Sequence, residues 1–145
     1  MNHNRPWNAY RQITTQTASP GQLVLMLYDG ALKFLEKSLV GFDVEDPAES
    51  NEMISNNVIR AQDILYELNS TLNVQEGGQL AVTLRRLYEY MDDRLIESNL
   101  RKSPDGIRDT LRRLTILREA WQNMLRSSAA GSGSASPQLS LSACG

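Results

Sequence analysis

The chain has 145 residues, 41% hydrophobic and 22% charged, which suits one soluble domain with a real core. Its 15 basic and 17 acidic residues leave a net charge of −2, so nothing draws it globally to nucleic acid or anionic lipid. The longest run of large apolar side chains, Leu23 to Tyr28, is far short of the ~20 residues that span a bilayer. Met1 to Pro6 lacks the apolar centre of a secretory signal, and the single cysteine, Cys144, excludes an internal disulfide; an intracellular protein is expected.

Residues 1–18 carry little helix signal but hold Trp7, Tyr10 and Ile13 at a spacing of three, on one side of a helical or extended arm. A flexible leader and an arm that docks onto a groove or partner both fit; isolated apolar anchors in a polar terminus need something to cover them. Ser19, Pro20 and Gln22 then spell a helix start: an N-cap acceptor, proline at the first helical position and a capping-box glutamine. At about 100° per residue, the apolar positions from Leu23 to Leu39 cover an arc of about 200°, with Gln22, Asp29, Lys33, Glu36 and Lys37 on the remaining side. A helix facing one neighbour needs an arc of roughly 100°. This one is therefore expected to be touched from two directions and to be the element around which the others pack.

Asp46-Pro47-Ala48-Glu49 repeats the start signal after a loop. In the second helix Ile54, Val58, Ala61, Leu65, Leu68 and Leu72 alternate spacings of four and three, a bundle seam, while Ile59 and Tyr66 lie a heptad apart and off it. A break over Asn73 to Gly78 precedes a third helix with the expected seam Leu80, Leu84, Leu87, Met91 and Leu95; Tyr88 sits beside that seam, and Val82, Ile96 and Leu100 lie toward the back. Ser103-Pro104 starts a fourth helix carrying Ile107, Leu111, Leu114, Leu117, Trp121, Met124 and Leu125. From Ser127 the Ser, Ala and Gly composition reads as a flexible tail. The expectation is an all-α antiparallel four-helix bundle over 19–126, with helices at about 20–42, 47–73, 78–101 and 104–126, an N-terminal arm over 1–18 and a disordered tail over 127–145.

Catalytic kits are missing. The one histidine, His3, lies in the arm, no Glu-x-x-His pair exists for a di-iron site, Cys144 cannot build a zinc site, and no glycine-rich phosphate loop is present. No catalytic, cofactor or metal residue is assigned, and a non-enzyme is expected. An enzyme using carboxylates alone, such as Asp92 and Asp93, stays as an alternative. Arg85-Arg86 and Arg112-Arg113 are balanced by nearby acids such as Glu89 and Asp109 and read as solvated surface rather than as a nucleic-acid site. The off-seam set Ile59, Tyr66, Val82 and Ile96, with Tyr88, is the candidate groove for an amphipathic partner helix.

Over residues 7 to about 126 the chain resembles the flagellin export chaperones, the FliS family. The similar elements are Ala9-Tyr10-Arg11-Gln12-Ile13, Thr17-Ala18-Ser19-Pro20 and Leu25-Met26-Leu27-Tyr28-Asp29-Gly30-Ala31. Ala61-Gln62-Asp63-Ile64-Leu65, Leu87-Tyr88-Glu89-Tyr90-Met91, Ser98-Asn99-Leu100 and Ala120-Trp121 follow. Trp7 stands where the family usually has a smaller apolar residue or tyrosine, and the serine-rich tail is outside the pattern. The resemblance implies a cytoplasmic chaperone that binds the disordered C-terminal segment of flagellin, blocks its premature polymerisation and delivers it to the type III export gate. It also implies that Trp7, Tyr10 and Ile13 contribute to docking on the cytosolic domain of the export-gate membrane protein. The expected partners are those two, without nucleic acid or membrane insertion, and the chain itself is a monomer or weak homodimer. A helical-bundle adaptor unrelated to flagella is the alternative.

Overall fold

The computed structural model describes residues 19–130, which form α1 (Pro20–Gly41), α2 (Pro47–Ser70), α3 (Val74–Arg101) and α4 (Asp105–Ala130). Each helix packs on two neighbours: α1 on α2 and α4, and α3 on α2 and α4. With short connections, this is an antiparallel four-helix bundle closed in chain order.

The caps form as their residues dictate. Ser19 Oγ accepts from the Gln22 N–H at 3.2 Å and Gln22 Oε1 accepts from the Ser19 N–H at 3.3 Å, so the capping box is complete. Asp46 Oδ2 accepts from the Glu49 N–H at 2.9 Å and starts α2. On α1, after exposed Pro20, the exposed positions before the C-terminal turn are Gln22, Asp29, Lys33, Glu36 and Lys37, and the remaining positions there are buried or half-buried. Of the expected second-helix seam, Ile54, Val58, Ala61, Leu65 and Leu68 are buried on α2, while α2 ends at Ser70 rather than 73 and Leu72 is buried just beyond it.

The third and fourth helices differ from expectation. Asn73 Oδ1 accepts from the Glu76 N–H at 3.2 Å, so α3 begins at Val74 rather than at the glycine pair. The break falls inside it, at Gly78, whose φ of 59° and ψ of −135° kink the helix in a region that suits glycine. The buried stripe of α3 runs Ala81, Tyr88, Met91, Leu95 and Ser98, with Leu84 packed against it, while Leu80 is half-exposed. Met91 and Leu95 are buried as expected and Leu84 packs against the core; the expected stripe is one residue off only at Leu80 and Leu87, because strict alternation of three and four back from Leu95 passes through Tyr88 and Ala81. At the other end, α4 continues to Ala130, four residues past the expected end at 126 and into the segment read as tail. No glycine or proline interrupts Ser127–Ala130 before Gly131.

Three polar contacts fix how α4 lies. The Trp121 indole N–H donates to the Gly21 carbonyl at 2.8 Å, and Arg118 Nε to Asp29 Oδ1 at 2.6 Å, joining α4 to α1. At the α3–α4 turn, buried Ser98 Oγ accepts from the Ile107 N–H at 3.2 Å. A Cβ on Gly106 would overlap the Arg94 carbonyl oxygen and Ser98 Oγ, so only glycine lets the start of α4 rest on α3 here.

Candidate functional site

The outer seam between α2 and α3 carries a polar ladder. Ser55 Oγ donates to Asn99 Oδ1 at 3.0 Å, Gln62 Nε2 to Asp92 Oδ1 at 3.0 Å, and Arg85 Nε to Asn69 Oδ1 at 3.1 Å. Each rung lies seven residues forward along α2 and seven back along α3, a heptad register that fixes the two helices at matching heights. Lys102 closes the lower end: its Nζ donates to Ser55 Oγ at 3.0 Å and to the Asn99 carbonyl at 2.9 Å, and burial pulls the ammonium pKa below the ordinary lysine value.

Ile59 and Tyr66 lie about 40–60° outside this line on α2, by the turn per residue of a helix. Ile59 is 42% exposed and Tyr66 75% exposed. On α3, Ile96 is 50% exposed and by the ladder's register stands at the height of Ile59, while Val82 is half-buried nearer the kink. Exposed Leu100 follows Ile96 by one turn. Two apolar rows therefore flank a polar seam.

Tyr88 does not join them. It is 2% exposed, and its hydroxyl meets that of Tyr28 at 2.6 Å in the interior. The side chain follows the buried stripe and lines the groove between the rows from below, enclosed where Ile59, Tyr66 and Ile96 are exposed. Trp7, Tyr10 and Ile13 lie outside the described residues.

Between the rows a groove of about 550 Å³ is lined by Gln62, Leu65, Tyr66, Asn69, Tyr88 and four carboxylates, those of Asp63, Glu89, Asp92 and Asp93. No lysine or arginine lines it, and Asp63 Oδ2 is shielded from water without a hydrogen-bond partner. Asp92 is a rung of the ladder rather than a free surface acid. Among the described residues, no cluster of histidine, cysteine or carboxylate side chains is suited to a metal ion, and no helix is long and apolar enough to cross a membrane. Chemically, the face offers apolar contact on both rims and acceptors between them, which is the pattern that receives an amphipathic helix.

A second polar centre, between α3 and α4, escaped sequence reasoning. Asp109 is nearly buried and accepts from Tyr90 at 2.9 Å, Arg94 at 3.1 Å, Arg112 at 3.2 Å and Arg113 at 3.0 Å. Burial pushes its carboxyl pKa up, but the hydrogen bonds from Tyr90, Arg94 and Arg113 outweigh that and hold it below the ordinary aspartate value. Arg112 and Arg113, read as solvated surface, are therefore anchored. The spacing of Asp109 and Arg113 was visible in sequence; the donors arriving from α3 were not.

Comparisons with known proteins bear on the family. The family described as Flagellar protein FliS matches residues 2–128. The chain is 35% identical over 122 residues to the flagellar secretion chaperone FliS of Bacillus subtilis (strain 168), covering 84% of this chain and 87% of that protein. It is 32% identical over 121 residues to the flagellar secretion chaperone FliS of Salmonella typhimurium, covering 80% of this chain and 87% of that one. With the flagellar secretion chaperone FliS of Campylobacter jejuni the identity is 32% over 124 residues, covering 86% and 94%. A match across nearly the whole bundle, on a chain whose helices close in the expected order, places this protein in the FliS family of flagellar secretion chaperones.

Proposed function

We propose that the chain is a cytoplasmic chaperone that binds the C-terminal segment of flagellin along the α2–α3 face, keeps it from polymerising and delivers it to the export gate. Family membership supports the class of activity. The observation that carries the location is the facing pair Ile59 and Ile96, at one height across the ladder, with Tyr66 one heptad beyond Ile59. Such rows suit a client that is disordered until it folds on the surface, which uses on the order of 2–5 kcal/mol of its interaction energy for ordering and so needs a preformed apolar track. Trp7, Tyr10 and Ile13 belong to the same proposal as the export-gate docking positions.

Calorimetric titration with a flagellin C-terminal peptide, followed by circular dichroism, tests it. One-to-one binding with a negative heat-capacity change and a gain of helix is expected. Absence of heat and of helix gain overturns the client assignment and moves a helical-bundle adaptor into its place.

A further inference from the structure

The polar centre on Asp109 presents charge as well as fixing two helices. One carboxylate holds three guanidiniums, those of Arg94, Arg112 and Arg113, so the cluster keeps a net positive charge of two. Glu97 and Arg101, 3.5 Å apart beside it, add one charge of each sign and leave that excess unchanged. The arginines are held from below yet reach solvent: the Arg112 side chain is 70% exposed and that of Arg113 43%. A guanidinium has five N–H donors, so each retains donors for a further acceptor in a position already fixed.

Apolar surface adjoins the cluster. Ile116 is 66% exposed and stands one turn beyond Arg112 and Arg113 on the same side of α4. Tyr90, also exposed, lies under the Arg113 guanidinium, 4.8 Å from its ring centre. The positive excess on this face is that of the Asp109 cluster, whereas the α2–α3 groove is lined by four carboxylates. The two faces select helices of opposite charge.

We propose that the α3–α4 face docks an acidic amphipathic helix of a partner protein, its apolar stripe on Ile116 and Tyr90 and its carboxylates on Arg112 and Arg113. The exposed isoleucine and tyrosine favour a peptide over a nucleic acid, which has no apolar stripe to place there. The site is separate from the proposed client face and does not depend on it.

Fluorescence anisotropy on the full chain tests this with two labelled synthetic helices of about 20 residues, each with leucines on one stripe, flanked in one by glutamates and in the other by lysines. The glutamate helix is expected to bind, and to weaken as salt is raised. Arg112→Glu and Ile116→Asp should each lower its affinity about tenfold with unchanged helicity, and Tyr66→Asp should leave it alone. Absence of binding, equal binding of both helices, indifference to Arg112→Glu and Ile116→Asp, or loss with Tyr66→Asp overturns the proposal. So does displacement of the glutamate helix by a single-stranded RNA oligonucleotide at lower concentration than by unlabelled peptide, which would mark a nucleic-acid site. The contrast between the two peptides needs no variant and stands if a substitution fails to fold.

Discussion

Tyr28 and Tyr88 meet hydroxyl to hydroxyl at 2.6 Å, tying α1 to α3 across the middle of the bundle. Both are buried, so each hydroxyl depends on the other. Replacing one by phenylalanine leaves a buried hydroxyl unsatisfied, at a cost of about 1–3 kcal/mol; replacing both removes the polar pair and is expected to be close to neutral. Chemical denaturation of Tyr28→Phe, Tyr88→Phe and the double variant checks this. A double variant at least as unstable as the sum of the singles would mean that the hydroxyls do not act as a pair.

The same pair makes stability fall in alkali. Burial pushes both phenols above the ordinary value of 10.0, most strongly Tyr88, which also sits beside Tyr28. A raised folded-state pKa means that the unfolded chain loses its protons first, so the contribution is full below pH 10.0 and declines as pH rises through and beyond it. Unfolding measured between about pH 9 and pH 11 should show a steeper loss for the native chain than for the double phenylalanine variant.

Asp109 sets the opposite dependence. Its carboxyl pKa is held below the ordinary 3.8, so its contribution is present above that value and lost as pH falls through the folded-state pKa. Asp109→Asn keeps the shape but removes the charge that Tyr90, Arg94, Arg112 and Arg113 share. A loss of about 1–3 kcal/mol is expected at neutral pH, shrinking in acid, where the native carboxylate is protonated too. Urea denaturation at two pH values reads both effects.

Gly106→Ala tests the α3–α4 contact. The added methyl would meet backbone oxygen of Arg94, which cannot swing aside as a long side chain could, so α4 must move away from α3. Overpacking of this kind costs about 1–3 kcal/mol. Thermal unfolding should show a lower midpoint, and the Ser98–Ile107 hydrogen bond at 3.2 Å should weaken, seen as faster amide exchange at Ile107.

What the sequence made legible was decided within single helices. The two-sided burial of α1 and the five seam positions on α2 follow from periodicity alone, because each depends only on spacing along one chain segment. Residues that act between helices were hidden. Ser55, Gln62 and Asn69 are small or amide side chains at heptad spacing; their role in the ladder needs the height of α3 beside them. Asp109 looked like half of a local pair with Arg113, and its two donors from α3 are 15 and 19 residues away. Tyr88 lines the groove as expected, but its depth was hidden: the partner that encloses its hydroxyl, Tyr28, comes from α1.

Depth separates two tyrosines that the sequence set in one groove. Tyr66 is 75% exposed on the apolar row of α2, whereas Tyr88 is enclosed with Tyr28 beneath the groove. Tyr66→Asp puts a charge beside the carboxylates of Asp63, Glu89, Asp92 and Asp93 and removes an apolar anchor, without disturbing the core. If the client lies on this face, flagellin peptide affinity falls by about tenfold or more while helicity and melting temperature hold. Tyr88→Phe should do the reverse, lowering stability and leaving the affinity of the folded protein close to native, because its hydroxyl faces inward. Calorimetric titration of both variants, each with its melting curve, distinguishes them. Normal binding by a folded Tyr66→Asp variant would take Tyr66 out of the client face and leave Ile59 and Ile96 to be tested in its place.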